Sequence, residues 1–118
     1  DGSCYPNKKS PEARAGYSAY FALGKFRDVI LYGNIDKSKF YATNQRAEGI
    51  AILNVLKYLT NKIEKEDWSK VIIVTDSEFW INMITKYIPS WAEKEIPFES
   101  KQNPDIVSDL WNYYNNLY

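Results

Sequence analysis

The hydrophobic pattern along this chain changes period twice, and the changes mark its elements. From Gly16 to Gly24 the run Tyr17-Ser18-Ala19-Tyr20-Phe21-Ala22-Leu23 reads as a strand, and Val29-Ile30-Leu31-Tyr32 as a second. The intervening Gly24 to Asp28 is short and polar enough for a hairpin connection. Phe40-Tyr41-Ala42 is either the end of a strand or the approach to a helix. After the capping pair Thr43-Asn44, the apolar residues Ala47, Ala51, Ile52, Val55, Leu56 and Leu59 recur at helical spacing to about Lys62. Glu64 to Asp67 is a solvated turn. Val71-Ile72-Ile73-Val74 then predicts a strand buried on both faces, the pattern of parallel pairing, running straight into Thr75-Asp76-Ser77. A second helix follows, with Phe79, Trp80, Met83, Ile84, Tyr87 and Ile88 as its apolar face and Pro89 as its stop. Residues 91–102 read as an irregular loop, and Asn103-Pro104 opens a third helix through Ile106, Val107, Leu110, Trp111 and Tyr114. Trp80, Trp91 and Trp111 are expected in the core.

This order predicts one α/β domain over residues 1–118, with no internal repeat or linker. At 118 residues and 45% hydrophobic content the chain is globular and near the lower size for a sheet covered by helices. Lys+Arg and Asp+Glu both number 15, so no global field draws in a polyanion, and a nucleic acid has to be met by a local arrangement. The single cysteine, Cys4, excludes an internal disulfide. No signal peptide and no membrane-spanning apolar run is visible, so the expectation is an intracellular protein of cytoplasm or nucleus, monomeric and without a membrane partner.

The absence of histidine removes Ser-His-Asp, Cys-His and His-ligated metal chemistry and leaves acid chemistry to carboxylates. Three carboxylates stand at element ends. Asp1 opens the chain. Glu48 shares the helix stripe, because positions 48, 52, 55 and 59 fall within about 60° of arc at 100° per residue. Asp76 ends the Val71 strand, where open α/β sheets bind ligands. A charge on the core-facing side of a helix needs a partner, a proton or a metal. Plainer roles exist for each: Asp1 as a solvated acid, Glu48 as a first-turn acid favoured by the helix dipole, Asp76 as an N-cap. Acids from separate elements can also converge on Mg²⁺, and two such ions can serve phosphodiester hydrolysis.

Asp1-Gly2-Ser3-Cys4 followed by Asn7, then Thr43-Asn44-Gln45-Arg46-Ala47-Glu48, then Thr75-Asp76-Ser77, resembles the motif set of type 1 ribonuclease H. Spacing and element order match over nearly the whole chain, including Trp91 and Asn103-Pro104-Asp105. The resemblance implies a ribonuclease H-like α/β fold, a mixed central sheet flanked by helices, with the Val71 strand parallel to the Asp1 strand. It implies cleavage of the RNA strand of an RNA·DNA hybrid to 5′-phosphate and 3′-hydroxyl ends by a two-metal mechanism using Mg²⁺, with Mn²⁺ as a substitute. Asp1, Glu48 and Asp76 would hold the metals. Asn7, Asn44 and Gln45 would reach base edges and 2′-hydroxyls in the minor groove. Cys4 and Thr43 fall where the family contacts nucleic-acid backbone, Arg46 is placed toward a phosphate, and Ser77 follows its acid as in the family. Cys4 is equally read as a small, partly buried thiol, and Asn44 as a cap.

The sequence departs from the family pattern in four ways. The residues that precede the first acid on its strand are absent. A fifth strand, a histidine-bearing loop and a fourth acid would lie beyond Tyr118, so parts of the family fold at both ends are expected to be missing. Ala92-Glu93-Lys94-Glu95 stands where many members carry a basic protrusion, and Glu78-Phe79 replaces the usual Gln-Tyr pair. Two other functions fit these residues: a 3′ to 5′ exonuclease of the same superfamily, against which the Thr43 to Glu48 motif argues, and a non-catalytic domain that binds hybrids or a protein.

Overall fold

The computed structural model describes residues 1–5, 14–21, 29–35, 43–62 and 72–117. Several expected features fall outside them: Asn7, the Gly24 to Asp28 connection, Phe40 to Ala42, the Glu64 to Asp67 turn and Val71. The chain resolves into two compact units, Asp1–Val55 and Leu56–Tyr118, with the boundary inside a helix.

The first unit contains a three-stranded sheet of order β1 (Gly2–Tyr5), β2 (Arg14–Tyr20) and β3 (Ile30–Asn34), each pair antiparallel. The two predicted strands are present, but β2 starts at Arg14 rather than Tyr17 and its ladder ends at Tyr20. Strand ends follow pairing rather than propensity: Tyr5 faces Arg14, and that partner extends β2 backwards. Beyond the strands proper, Phe21 N–H donates to Val29 O at 2.9 Å and Ile35 N–H to Ala15 O at 2.9 Å.

Side chains alternate between two unequal faces. Gly2, Cys4, Tyr17, Ala19, Leu31 and Gly33 are half-buried, whereas Tyr5, Tyr20, Ile30 and Tyr32 on the other face are 58–86% exposed. Gly2, Tyr17 and Gly33 stand opposite one another in a row across the strands. The Tyr17 ring leans over Gly33, where its Cε1 would lie 2.8 Å from any Cβ.

Helix α1 (Asn44–Lys62) ends where the hydrophobic pattern predicts, and Thr43 caps it. The Thr43 hydroxyl oxygen accepts from the Arg46 N–H at 3.1 Å, and the Thr43 carbonyl accepts from the Ala47 N–H at 3.0 Å. Asn44, the other half of the expected capping pair, is therefore the first helical residue. Along the predicted stripe Ala47, Ala51, Ile52 and Leu59 are buried, and Val55 and Leu56 half-buried.

In the second unit the expected parallel strand is not formed among the described residues. Residues 72–75 have no ladder partner among the described residues; Ile72 is 71% and Val74 90% exposed. β-Branched residues favour an extended backbone, but a strand exists only through its neighbours, and propensity cannot supply them. The expected α/β class stands; the ladders among the described residues are the two antiparallel ones of the first unit.

The helix after Asp76-Ser77 runs past its predicted stop. Helix α2 (Glu78–Asn82) passes into a π-helical segment (Met83–Tyr87) and then helix α3 (Ile88–Glu93). Pro89 lacks an N–H, and inside an α-helix its ring would strike the carbonyl of Thr85. The π segment ends one residue before Ile88, whose N–H reaches back to Met83 O, and this wider turn makes room where the ring needs it. The proline is thus accommodated at the start of α3 instead of ending the helix. Residues 91–93, expected in a loop, are helical for the same reason.

Helix α3 stops in a Schellman arrangement: Glu95 N–H donates to Ala92 O at 3.2 Å and Ile96 N–H to Trp91 O at 2.9 Å. Glu95 takes the left-handed conformation this requires, with φ 57°. After a short 3₁₀ turn (Phe98–Ser100), helix α4 (Pro104–Leu117) begins at the expected proline, with Asn103 O accepting from Val107 N–H at 3.0 Å. Trp80, Met83, Ile88, Ile106, Val107 and Leu110 are buried. Trp91 and Trp111 are only half-buried; each stacks on a tyrosine, Tyr87 and Tyr114 respectively, and Lys101 Nζ sits 4.7 Å from the Trp91 ring centroid. No helix among the described residues is long and apolar enough to cross a membrane.

A side chain at a left-handed position costs about 1 kcal/mol that glycine does not incur. Glu95→Gly is therefore expected to raise stability by about 1 kcal/mol in urea unfolding, and an unchanged or lower midpoint would contradict the Schellman stop.

Candidate active site

Asp1 continues the β1 ladder by one residue. Its main-chain nitrogen donates to Ser18 O at 2.6 Å, and Ser18 N–H donates to Asp1 O at 2.8 Å. Both bonds of one antiparallel pair are thus made, which fixes the Asp1 backbone while its side chain stays exposed. The next residue, Gly2, lies against α1: a Cβ on Gly2 would overlap the Ala47 carbonyl carbon and the Glu48 nitrogen. The backbones that carry Asp1 and Glu48 are therefore neighbours in the first unit.

Glu48 lies in the second turn of α1, beyond the reach of the N-terminal dipole, and the first turn carries no acid. It is half-buried beside the buried Ala47, Ala51 and Ile52, so its place on the stripe is real. The plainer account of Glu48 as a first-turn acid does not hold.

Thr43, Asn44, Gln45 and Arg46 form the cap and first turn. Thr43, Asn44 and Gln45 are half-buried, and Arg46 is only 6% exposed. Cys4 is a half-buried thiol, outside any disulfide, on the same sheet face as Gly2. Asn7 lies outside the described residues.

Asp76 is exposed and does not cap the following helix. Ser77 does: its hydroxyl oxygen accepts from the Trp80 N–H at 3.3 Å, while its own N–H donates to Thr75 Oγ1 at 3.2 Å. Ser77 is buried. The aspartate is left free of that duty. A hydroxyl three residues before a buried tryptophan was the available signal for this cap.

Asp1 and Glu48 belong to the first unit and Asp76 to the second. Among the described residues no group of three or more Cys, Asp or Glu side chains stands together as a metal-holding cluster. Sequence reasoning did not single out Gly2 by itself; its only flag is its place directly after Asp1.

The family model for RNase H matches residues 1–118. The chain belongs to the RNase H family. Among curated relatives it is 28% identical over 110 residues to a probable ribonuclease H of Acanthamoeba polyphaga mimivirus, covering 89% of this chain and 45% of that protein. It is 28% identical over 115 residues to a ribonuclease H of Pelobacter propionicus, covering 94% of this chain and 58% of that protein. A ribonuclease H of Crithidia fasciculata is 26% identical over 133 residues, 94% of this chain and 26% of that protein. The chain thus spans about half the length, or less, of these RNase H relatives. No solved structure matches it significantly.

Loss of a hydroxyl cap costs about 1 kcal/mol. Thr43→Ala and Ser77→Ala are each expected to lower unfolding stability by about that amount, and Ser77→Asp to retain most of it. Thermal melts of the three variants check this; an alanine variant as stable as the parent would refute the cap concerned.

Proposed function

We propose that this chain is a metal-dependent endoribonuclease domain that hydrolyses the RNA strand of RNA·DNA hybrids, leaving 5′-phosphate and 3′-hydroxyl ends. The observation that carries the reading is the RNase H family match over residues 1–118; the motif resemblance assigns Asp1, Glu48 and Asp76 as the acids. The names of the relatives support the same activity. The reading treats residues 1–118 as one domain acting as a monomer inside the cell.

RNase H enzymes are in general divalent-metal dependent, and the donor chemistry here suits Mg²⁺ or Mn²⁺: carboxylate oxygens are hard ligands, and the chain has no histidine. Asp1, Glu48 and Asp76 would hold two such ions. Bound there, divalent cations supply an acidified water and stabilise charge on the leaving oxygen.

The remaining roles belong to the chain's own groups. The Asn44 and Gln45 amides, in the first turn of α1, can both donate to and accept from base edges and 2′-hydroxyls, which is how a protein distinguishes RNA from DNA. The Thr43 hydroxyl oxygen accepts in its cap and keeps its proton for a phosphate oxygen. Cys4 and Asn7 are assigned to the same nucleic-acid surface. Arg46, nearly buried, offers a phosphate little open surface. Ser77 holds its helix so that Asp76 directly precedes the first turn.

The test is cleavage of end-labelled hybrid, RNA duplex and single strands in Mg²⁺ or Mn²⁺. Hybrid RNA alone should be cut internally, with 5′-phosphate ends. Glu48→Gln or Asp76→Asn should slow cleavage by on the order of 10²-fold or more, and chelation should abolish it. A folded chain that leaves the hybrid intact, or cuts equally well as Asp76→Asn, refutes the proposal. Trimming from the 3′ end would point to an exonuclease.

A further inference from the structure

We propose that Gly2 is a positioning residue for the metal-holding acids. By bearing no side chain, it lets the peptide between Ala47 and Glu48 seat directly on β1, which fixes the Glu48 main chain beside that of Asp1. This rests on the assignment of Asp1 and Glu48 made above.

The sheet offers its own comparison. At Gly16 a Cβ would meet Gly33 O at 3.3 Å, a tight contact that a shift of a few tenths of an ångström relieves. At Gly33 a Cβ would meet the Tyr17 ring, at 2.8 Å from Cε1 and 3.0 Å from Oη. That ring is the far end of a side chain and can rotate away. At Gly2 the obstruction is main chain, the Ala47 carbonyl carbon and the Glu48 nitrogen, together with the Ala47 Cβ. Main chain inside a helix cannot swing aside; α1 as a whole would have to move. Ala47 is fully buried, which leaves no slack on the helix side.

On the strand side the position is equally fixed. Asp1 is held to Ser18 by both hydrogen bonds of its pair, and Gly2 faces Tyr17 in the next step of the same register. The main chains that carry two acids on different elements thus meet directly at Gly2. A side chain at position 2 would displace Glu48 relative to Asp1 without altering either carboxylate. Outer groups that orient metal ligands typically matter by a factor of ten or more in metal affinity.

The test compares parent, Gly2→Ala and Gly33→Ala. It measures Mn²⁺ binding by electron paramagnetic resonance, the Mg²⁺ dependence and KM of hybrid cleavage, and thermal unfolding. Both variants add a methyl to a sheet glycine and should lose stability. Only Gly2→Ala should bind Mn²⁺ more weakly, by on the order of tenfold, with a matching rise in the Mg²⁺ needed for half-maximal cleavage and little change in KM for hybrid. Folded Gly2→Ala with parental Mn²⁺ affinity, or Gly33→Ala losing affinity equally, overturns the inference. Should Gly2→Ala not fold, Ala47→Ser crowds the same seam by one atom and is judged by the same measurements. Parent protein that cleaves hybrid while Asp76→Asn does not keeps the functional reading intact whatever Gly2→Ala does. Parent protein that neither cleaves nor binds Mn²⁺ removes both.

Discussion

A backbone-to-backbone contact, Gly2 on the peptide joining Ala47 to Glu48, is the constraint on which the first unit depends. Protein interiors are packed too densely for a methyl group to be inserted where main chain already sits. The contact therefore dictates a glycine at position 2 and a small residue on the helix opposite it, Ala47, which is fully buried. The row Gly2, Tyr17, Gly33 follows the same logic across the sheet. The large ring in the middle strand leans over the glycine on one side, while the glycine on the other receives the helix.

In both units the helix caps fall to hydroxyls and not to the motif acids. Helix starts leave N–H groups unsatisfied, and an aspartate beside one is readily drawn into accepting from it. Here hydroxyls accept instead, Thr43 at the start of α1 and Ser77 at the start of α2. Glu48 lies past the first turn and Asp76 just before the cap, so neither carboxylate is consumed in holding its helix. The same two hydroxyls belong to the RNase H motifs. In this chain those residues act on the fold at the least by fixing where the helices begin.

The second unit shows how a helix can absorb sequence features that usually end one. Pro89 follows a π-helical segment, and Glu95 adopts a conformation more often given to glycine. Both features are locally unfavourable. Each is held by what surrounds it: a run from Trp80 to Ile88 with buried side chains on one face, and two hydrogen bonds that close the end of α3. Trp91 stands between these features and remains half-exposed, stacked on Tyr87, with Lys101 above its ring.

Features set by near neighbours were legible in the sequence. The limits of α1 followed from Thr43 and a 3.6-residue hydrophobic period, and the start of α4 from Asn103-Pro104, because caps and periodicity act within a few residues. The antiparallel pairing of the first strands and the family itself, through motifs spread over the chain, were legible too. Features set by distant neighbours were not. Residues 72–75 carry strand propensity but no ladder partner among the described residues; the stop signal of Pro89, cancelled by the π segment before it, and the capping signal of Asp76, superseded by Ser77, are local exceptions. Gly2 is the clearest case. The sequence placed a glycine after an acid; only the tertiary structure decided that it was required, because the reason is a helix peptide from residues 47 and 48 resting where its side chain would be.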